Sequence, residues 1–202
     1  CEIVDGEVSA EVISTDFDGM VREGEALAEL HSQIVVKIPM IEDGIKALKY
    51  FFDKGIKTNC TLVFSLGQAL LAAKAGATYV SPFIGRLDDN STDGLNLIQE
   101  IRLVYDNYAF PTEILAASIR NTMHIVNCSK IGADVITGPL SAIKGLLNHP
   151  LTDIGLAKFL EDHKNVNWNY NPPKTFLNSI SEKFPKPLTI LPLELTIIHL
   201  FK

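Results

Sequence analysis

The sequence predicts an α/β protein in which βα units repeat around a parallel sheet. Short apolar runs alternate with longer helical patterns along most of the chain. Three helix–strand joints share one form, in which a glycine ends the helix and a buried strand begins two or three residues later: Gly55, Gly76 and Gly132. Doubly wound sheets and barrels both fit this pattern, and closed barrels have eight such units.

Six strands are predicted, each followed by helical sequence. The strands are residues 7–14, 34–40, 57–64, 79–85, 113–118 and 134–138. The helices are residues 16–32, 42–54, 65–75, 92–105, 121–131, 140–147 and 151–164. Side chains that can cap helix N-termini occur near several of these starts: Asp16, Asp18, Ser65, Asn121 and Thr152.

The character of the chain changes after Val166. The segment 167–202 contains five prolines, which exclude a helix of normal length. We therefore expect a partial barrel domain over residues 1–165 and a proline-containing tail of unknown role over residues 166–202. The tail is either a loosely docked appendage or sequence foreign to the domain.

Composition narrows the function classes. The chain of 202 residues has 24 acidic and 18 basic side chains, so its net charge is −6. This balance argues against broad electrostatic binding to nucleic acid or to an anionic membrane. Cys1, Cys60 and Cys128 form no CxxC pair, and no zinc-ligand spacing occurs. With no signal-peptide pattern and no apolar run of about 18 residues, we expect a cytoplasmic protein.

Lys37 is the first candidate catalytic residue. It interrupts the apolar run 34–40, which is typical of a strand buried on both faces. An ammonium group is costly to bury, so such a site favours the uncharged amine, which can attack a carbonyl carbon and form a Schiff base. The alternative is an edge strand whose lysine reaches water.

Strand parity places further polar groups near Lys37. Asn59, Thr61 and Val63 share one face of their strand, and the other face suits the helix layer, so Asn59 and Thr61 are expected to point inward. Glu11 on the preceding strand has the same orientation. These groups form either a catalytic site or a structural hydrogen-bond network.

A second group of residues gathers where two later strands end. Ser81 and Phe83 share a face, Arg86 follows them, and Ser118 and Arg120 end the next strand. Hydroxyls and guanidinium groups at one rim suit a phosphate. The alternative is that Arg86 pairs with an aspartate of the acidic segment 88–94, which lacks calcium-loop spacing and is predicted to be a solvated loop and helix cap.

These residues lie in segments that resemble the transaldolase family, specifically its small subfamily shared with fructose-6-phosphate aldolases. The resemblance covers about residues 7–164. The matching segments are 35–39, 58–65, 68–77, 80–89, 115–120 and 132–137. It implies a (β/α)8 TIM barrel and a metal-free Schiff-base mechanism without a cofactor. It also implies dihydroxyacetone transfer between sugar phosphates in the pentose phosphate pathway, and ring-shaped homo-oligomers.

The resemblance also implies a role for each candidate residue. Lys37 is the Schiff-base lysine, and Glu11 and Thr61 hold a catalytic water. Asn59 hydrogen-bonds the dihydroxyacetone part of the substrate, and Arg86, Ser118 and Arg120 bind its phosphate. Ser81 and Phe83 are also predicted to bind substrate, from their position on the strand before Arg86. Aldolases of the subfamily resemble Gln and Tyr at positions 11 and 83, so the Glu and Phe of this chain favour transaldolase.

Two family motifs are not present in the sequence. The family begins with a strand carrying a catalytic Asp, followed by a strand with a Thr-Thr-Asn-Pro-Ser-like motif. We expect both upstream of Cys1, so that the six visible strands lack the first two βα units of the barrel. Transaldolase, fructose-6-phosphate aldolase and an inactive truncated barrel fragment are therefore the three hypotheses.

Overall fold

The computed structural model describes residue 1, residues 3–165 and residues 197–198. The strands are β1 Val8–Glu11, β2 Ile34–Pro39, β3 Thr58–Val63, β4 Tyr79–Pro82, β5 Glu113–Ala116, β6 Val135–Thr137 and β7 Ile197–Ile198. The helices are α1 Phe17–Leu30, α2 Glu42–Asp53, α3 Leu66–Lys74, α4 Ile84–Asp89, α5 Gly94–Asn107, α6 Thr122–Ile131, α7 Leu140–Gly145 and α8 Pro150–Asn165.

The strands form one sheet in the order of the sequence, β1 to β7. The first six are parallel and alternate with helices, which is the arrangement of a partial TIM barrel. The register pairs Glu11 with Lys37 and Lys37 with Asn59. Because paired residues of parallel strands face the same side of a sheet, these three polar side chains form a row across β1, β2 and β3.

Two cores flank the sheet, as expected for strands that are apolar on both faces. The larger core packs the helices against the sheet and includes Val36 and Ile38. The smaller core lies on the opposite, interior face and includes Val35. Val35 and Lys37 share a face of β2, so Lys37 belongs to the interior side. β2 pairs with strands on both sides, which excludes the edge-strand alternative for Lys37.

Local signals predicted most element boundaries correctly. Asp16, Ser65 and Asn121 cap α1, α3 and α6, and each side chain accepts a hydrogen bond from a backbone N–H of the first turn. Gly55, Gly76 and Gly132 have φ angles of 70°, 90° and 101°, the left-handed conformation expected just past a helix. The cap predicted at Thr152 is wrong, because α8 begins at Pro150 and contains that residue.

The fourth predicted strand ends too late. It was predicted over residues 79–85, but β4 ends at Pro82 and the helix α4 begins at Ile84. Asp88 and Asp89, expected in a solvated loop, are the last residues of α4. With six residues, α4 has fewer than two helical turns, too few for a helical periodicity to be recognised in the sequence.

A bulge reverses the predicted facing of the end of β3. Leu62 has a φ of 61°, and the register with β4 shifts between Cys60 and Val63. One residue in this conformation interrupts the alternation of side chains. Val63, predicted on the interior face, packs in the helix-side core. Phe64, predicted on the helix side, instead contacts the ring of Phe83 with centroids 5.7 Å apart.

The chain divides into two compact units, and the boundary follows Gly145. The first contains β1 to α7 and β7, which pairs antiparallel with β6. The second contains α8, none of whose residues is buried. Apart from Ile197–Ile198, the predicted tail lies outside the described residues. Within the described part of the chain, no helix has the length and apolar character needed to cross a membrane.

Two glycine substitutions should change stability in opposite directions. A Cβ at Gly67, in the first turn of α3, meets nothing within 4 Å, so Gly67→Ala should stabilise by up to about 1 kcal/mol through helix propensity. Gly132 has a φ of 101°, so Gly132→Ala should destabilise by about 1–2 kcal/mol. Urea denaturation of both variants measures the difference, and equal effects would contradict these backbone assignments.

Candidate active site

A cavity of about 360 Å³ opens on the interior face of the sheet, a volume at the lower end of the range for small-molecule sites. Each of the six parallel strands, or the segment just after it, contributes side chains to it. The lining residues are Ser9, Glu11, Lys37, Asn59, Ser81, Phe83, Leu115, Ala117, Ser118, Ile119, Thr137, Gly138 and Pro139. Six of the nine predicted site residues are in this set, and Thr61, Arg86 and Arg120 are not.

Lys37 and Glu11 form an ion pair in the cavity. Their side chains meet across β1 and β2 with 2.8 Å between Nζ and Oε2. Side-chain exposure is 26% for Lys37 and 47% for Glu11. The expectation of an amine shielded from water is therefore wrong: the strand is buried on both faces, but the end of this side chain lies where the cavity opens. A carboxylate at this distance can also accept a proton from the ammonium group.

Asn59 on β3 is held by two serines, Ser9 on β1 and Ser81 on the adjacent strand β4. Ser81 Oγ donates to its Oδ1 at 2.7 Å, and its Nδ2 donates to Ser9 Oγ at 3.2 Å. Asn59 and Ser81 are each 1% exposed. The network fixes which end of the amide is donor and which is acceptor, so Asn59 presents a defined hydrogen-bonding edge beside Lys37.

Thr61 is fully buried and stands apart from this network. It lies two residues after Asn59 on β3, and its Oγ1 has no hydrogen-bond partner among the described residues. A buried hydroxyl without a partner is uncommon because the lost hydration is not compensated. Thr61 does not line the cavity, so its hydroxyl does not face the Lys37 amine directly.

The phenyl ring of Phe83 connects the cavity to Arg86. The Arg86 guanidinium carbon lies 5.0 Å from the ring centroid, within the range of a cation–π contact. Arg86 is the third residue of α4 and is exposed. Among the described residues it has no carboxylate within salt-bridge distance, so the predicted pairing with Asp88 or Asp89 is wrong.

Those two aspartates bind other partners. Asp89 Oδ2 lies 2.6 Å from Arg120 Nη2, and Asp88 Oδ2 lies 3.0 Å from His124 Nε2. The Arg120 backbone N–H donates to His124 Nδ1 at 3.3 Å. Arg120 thus lies at the predicted rim, two residues after Ser118, with its side chain held by a carboxylate of α4.

Sequence reasoning missed other polar groups near the site. Ser9 lines the cavity, and parity on β1 already placed it beside Glu11. At the amino ends of the strands, Tyr79 donates to Glu7 at 2.6 Å, and the exposed Lys57 also contacts Glu7. Burial and the bond to Glu7 raise the pKa of the Tyr79 phenol, so this hydroxyl stays a hydrogen-bond donor across the physiological range.

The end of β6 and the residues after it complete the cavity wall through Thr137, Gly138 and Pro139. No charged group marks them in the sequence, which is why they were not predicted. The described residues contain no group of three or more His, Cys, Asp or Glu side chains that could bind a metal ion. The polar side-chain groups that line the cavity are an amine, a carboxylate, an amide and hydroxyls.

Comparison with known proteins identifies the family of this chain. The sequence profile of the transaldolase/fructose-6-phosphate aldolase family matches residues 1–186. The chain belongs to this family. The match extends past residue 164, where the resemblance found from the motifs ended, and it includes part of the predicted tail.

Three relatives are similar to this chain over most of their own length. The probable transaldolase of Flavobacterium psychrophilum is 73% identical over 167 residues, which are 83% of this chain and 77% of that protein. The probable transaldolases of Cytophaga hutchinsonii and Bacteroides thetaiotaomicron are 70% and 69% identical, with the same coverage.

A solved structure of a differently named enzyme is similar to this chain in its fold. Inosine 5′-monophosphate dehydrogenase from Legionella pneumophila aligns with a TM-score of 0.52 and 19% identity, over 70% of this chain and 46% of that one. At this identity the similarity concerns the βα architecture only.

Removing the Ser81 hydroxyl should destabilise the protein. Ser81→Ala leaves the buried Oδ1 of Asn59 without its donor, which should cost about 1–3 kcal/mol. The matched control is Ser129→Ala. The Ser129 hydroxyl donates to the Val126 carbonyl at an exposed helix surface, so its loss should change the free energy of unfolding by less than about 0.5 kcal/mol. Urea denaturation compares the two, and equal effects would contradict a buried network around Asn59.

Proposed function

We propose that the chain is a transaldolase that transfers a dihydroxyacetone unit between sugar phosphates through a Schiff base on Lys37. The observation that carries the proposal is the ion pair of Lys37 with Glu11 at 2.8 Å inside an interior cavity. An amine with a carboxylate in reach has both the nucleophile and the proton acceptor that carbonyl attack requires.

Lys37 would act as the nucleophile. Glu11 takes a proton from the ammonium, and the free amine attacks the keto carbon of a ketose phosphate such as fructose 6-phosphate or sedoheptulose 7-phosphate. Loss of water gives an iminium ion. The C3–C4 bond then breaks, its electron pair moves into the iminium to form an enamine, and the C4 hydroxyl proton leaves as the aldose phosphate forms.

Glu11 and Thr61 would hold the water that relays protons. The unpaired, buried Oγ1 of Thr61 supports this role, because a buried hydroxyl favours a partner and a shared water would provide one.

The enamine on Lys37 subsequently attacks the aldehyde carbon of erythrose 4-phosphate or glyceraldehyde 3-phosphate. Hydrolysis of the new Schiff base restores the amine and releases the product ketose.

Asn59 and Ser81 would bind the dihydroxyacetone part of the substrate. Their hydrogen bond fixes the amide beside Lys37. The phosphate would lie at the rim near Ser118, with the guanidinium groups of Arg86 and Arg120. Arg86 supports this placement because it is exposed beside the cavity residue Phe83.

Fructose-6-phosphate aldolase is the second candidate, and Phe83 disfavours it. The phenyl ring lines the cavity and offers no hydroxyl to orient a water near the enamine. The enamine would therefore persist until an acceptor aldehyde arrives, which favours transfer over release of free dihydroxyacetone.

We further propose a cytoplasmic homo-oligomer within the pentose phosphate pathway. Free thiols support a reducing compartment: Cys60 and Cys128 are buried and unpaired, and burial raises the pKa of each thiol to about 12. The exposed apolar side chains of α8, including Leu151, Ile154 and Phe159, support association between subunits.

Trapping the covalent intermediate tests the proposed function. Incubation with fructose 6-phosphate followed by borohydride should place a reduced three-carbon adduct on Lys37, located by peptide mass spectrometry. Lys37→Arg should abolish it, because a guanidinium is not a nucleophile under these conditions. The control Lys57→Arg changes a lysine outside the cavity that pairs with Glu7 and should keep the adduct. No adduct on Lys37 would refute the mechanism.

The reaction outcome should depend on position 83. Phe83→Tyr places a hydroxyl in the cavity wall, where it can orient water toward the enamine, so release of free dihydroxyacetone from fructose 6-phosphate should rise several-fold. A coupled assay for dihydroxyacetone measures this, with Tyr79→Phe as a control that removes a hydroxyl bonded to Glu7 instead. Unchanged release in Phe83→Tyr would argue against this role of the ring.

A further inference from the structure

The short helix α4 contacts the predicted phosphate end of the cavity through two residues that sequence analysis did not assign. Its first contact is a close backbone approach at Gly85. A Cβ at this position would lie 2.0 Å from the carbonyl oxygen of Ser118, a distance that no non-bonded carbon and oxygen can have. Only glycine therefore allows α4 to pack this closely on the segment after β5.

Ser118 is held in an unusual conformation where it meets Gly85. Its φ is 61°, in the left-handed region that is unfavourable for a residue with a side chain. Such a conformation persists only where the surrounding structure holds it. The close contact with Gly85 is one such restraint, and Ser118 lines the cavity.

The same glycine also leaves room for the Arg120 side chain. A Cβ at Gly85 would lie 2.8 Å from Arg120 Cγ and 3.0 Å from its Nε. Asp89, the last residue of α4, pairs with the Arg120 guanidinium at 2.6 Å. Arg120 is therefore positioned by α4 at two points along its side chain.

We propose that Gly85 and Asp89 are positioning residues that fix Ser118 and Arg120 for binding the phosphate of the sugar substrate. This proposal rests on the proposed function, which supplies the phosphate. Neither residue lines the cavity. Together they make α4 the element that sets selectivity for phosphorylated over unphosphorylated sugars, since the same helix also carries Arg86.

The geometry predicts an effect confined to the phosphate. Glu11, Lys37 and Asn59 lie on β1, β2 and β3 respectively, and their side-chain hydrogen bonds involve no residue of α4. A shift of Ser118 and Arg120 should therefore weaken binding of a phosphate and leave attack on a carbonyl by Lys37 unchanged. Displacement of binding groups by about 1 Å commonly costs up to about 100-fold.

Gly85→Ala is the direct test. The dissociation constant of inorganic phosphate, measured by isothermal titration calorimetry, should rise by about 10–100-fold. KM for glyceraldehyde 3-phosphate as acceptor should rise in parallel, while KM for unphosphorylated glyceraldehyde and the yield of the Lys37 adduct with dihydroxyacetone should stay within about twofold of the parent protein.

Asp89→Glu is the second variant, for the case in which Gly85→Ala does not fold. It keeps the charge at this exposed position and lengthens the side chain by one methylene, so only the position of Arg120 changes. Phosphate affinity should fall by about three- to tenfold, a smaller effect because Ser118 keeps its contact with Gly85.

Gly24→Ala is the matched control. Its Cβ would lie 2.4 Å from Phe51 Cζ in the helix-side core, away from the cavity. It should lower stability as a clash does, without changing the ratio of KM values for the two acceptors. If Gly24→Ala lost as much selectivity as Gly85→Ala, the effect at Gly85 would reflect lost stability and not the positioning of the phosphate-binding groups.

The outcomes separate the two proposals. Unchanged phosphate affinity in Asp89→Glu and in every folded Gly85→Ala sample would overturn the positioning role, as would a parent protein that does not bind phosphate. A parent protein that binds phosphate but forms no adduct on Lys37 would overturn the proposed function instead. Loss of phosphate affinity with an intact Lys37 adduct is the result that we expect.

Discussion

The ion pair of Lys37 and Glu11 depends on the pairing of β1 with β2, and the rest of the site is arranged around it. The parallel register places the two residues opposite each other, and Asn59 follows on the next strand. A slip of one residue would turn either side chain toward the helices, where a charge would have no partner. The backbone hydrogen bonds that set the strand register therefore determine which side chains line the interior cavity.

Much of this arrangement could be predicted because its causes are local or periodic. The single charge within the apolar run of β2 identified Lys37 as a candidate site residue, and it lies on the interior side of the sheet, although less shielded from water than expected. Asp16 and Gly132 marked helix ends through short-range hydrogen bonding and backbone conformation. Strand parity alone placed Asn59 beside Lys37, before any family resemblance was considered.

The parts that escaped prediction depend on contacts between residues distant in the sequence. Nothing near Asp89 in the chain indicates that its partner is Arg120 rather than Arg86, since that choice is made when α4 packs beside the end of β5. The start of α4 at Ile84 is likewise fixed by packing, through the close approach of Gly85 to Ser118. Propensity and spacing carry no information about such tertiary contacts.

The left-handed residue Leu62 has a consequence for how this barrel can diversify. It reverses the facing of Val63 and Phe64 while Asn59 and Thr61, earlier on β3, keep theirs. Loss of one residue here would restore regular alternation and turn the aromatic ring away from its neighbour Phe83. A single insertion or deletion could thus remodel the mouth of the barrel in one evolutionary step, without a substitution among the groups that surround the amine.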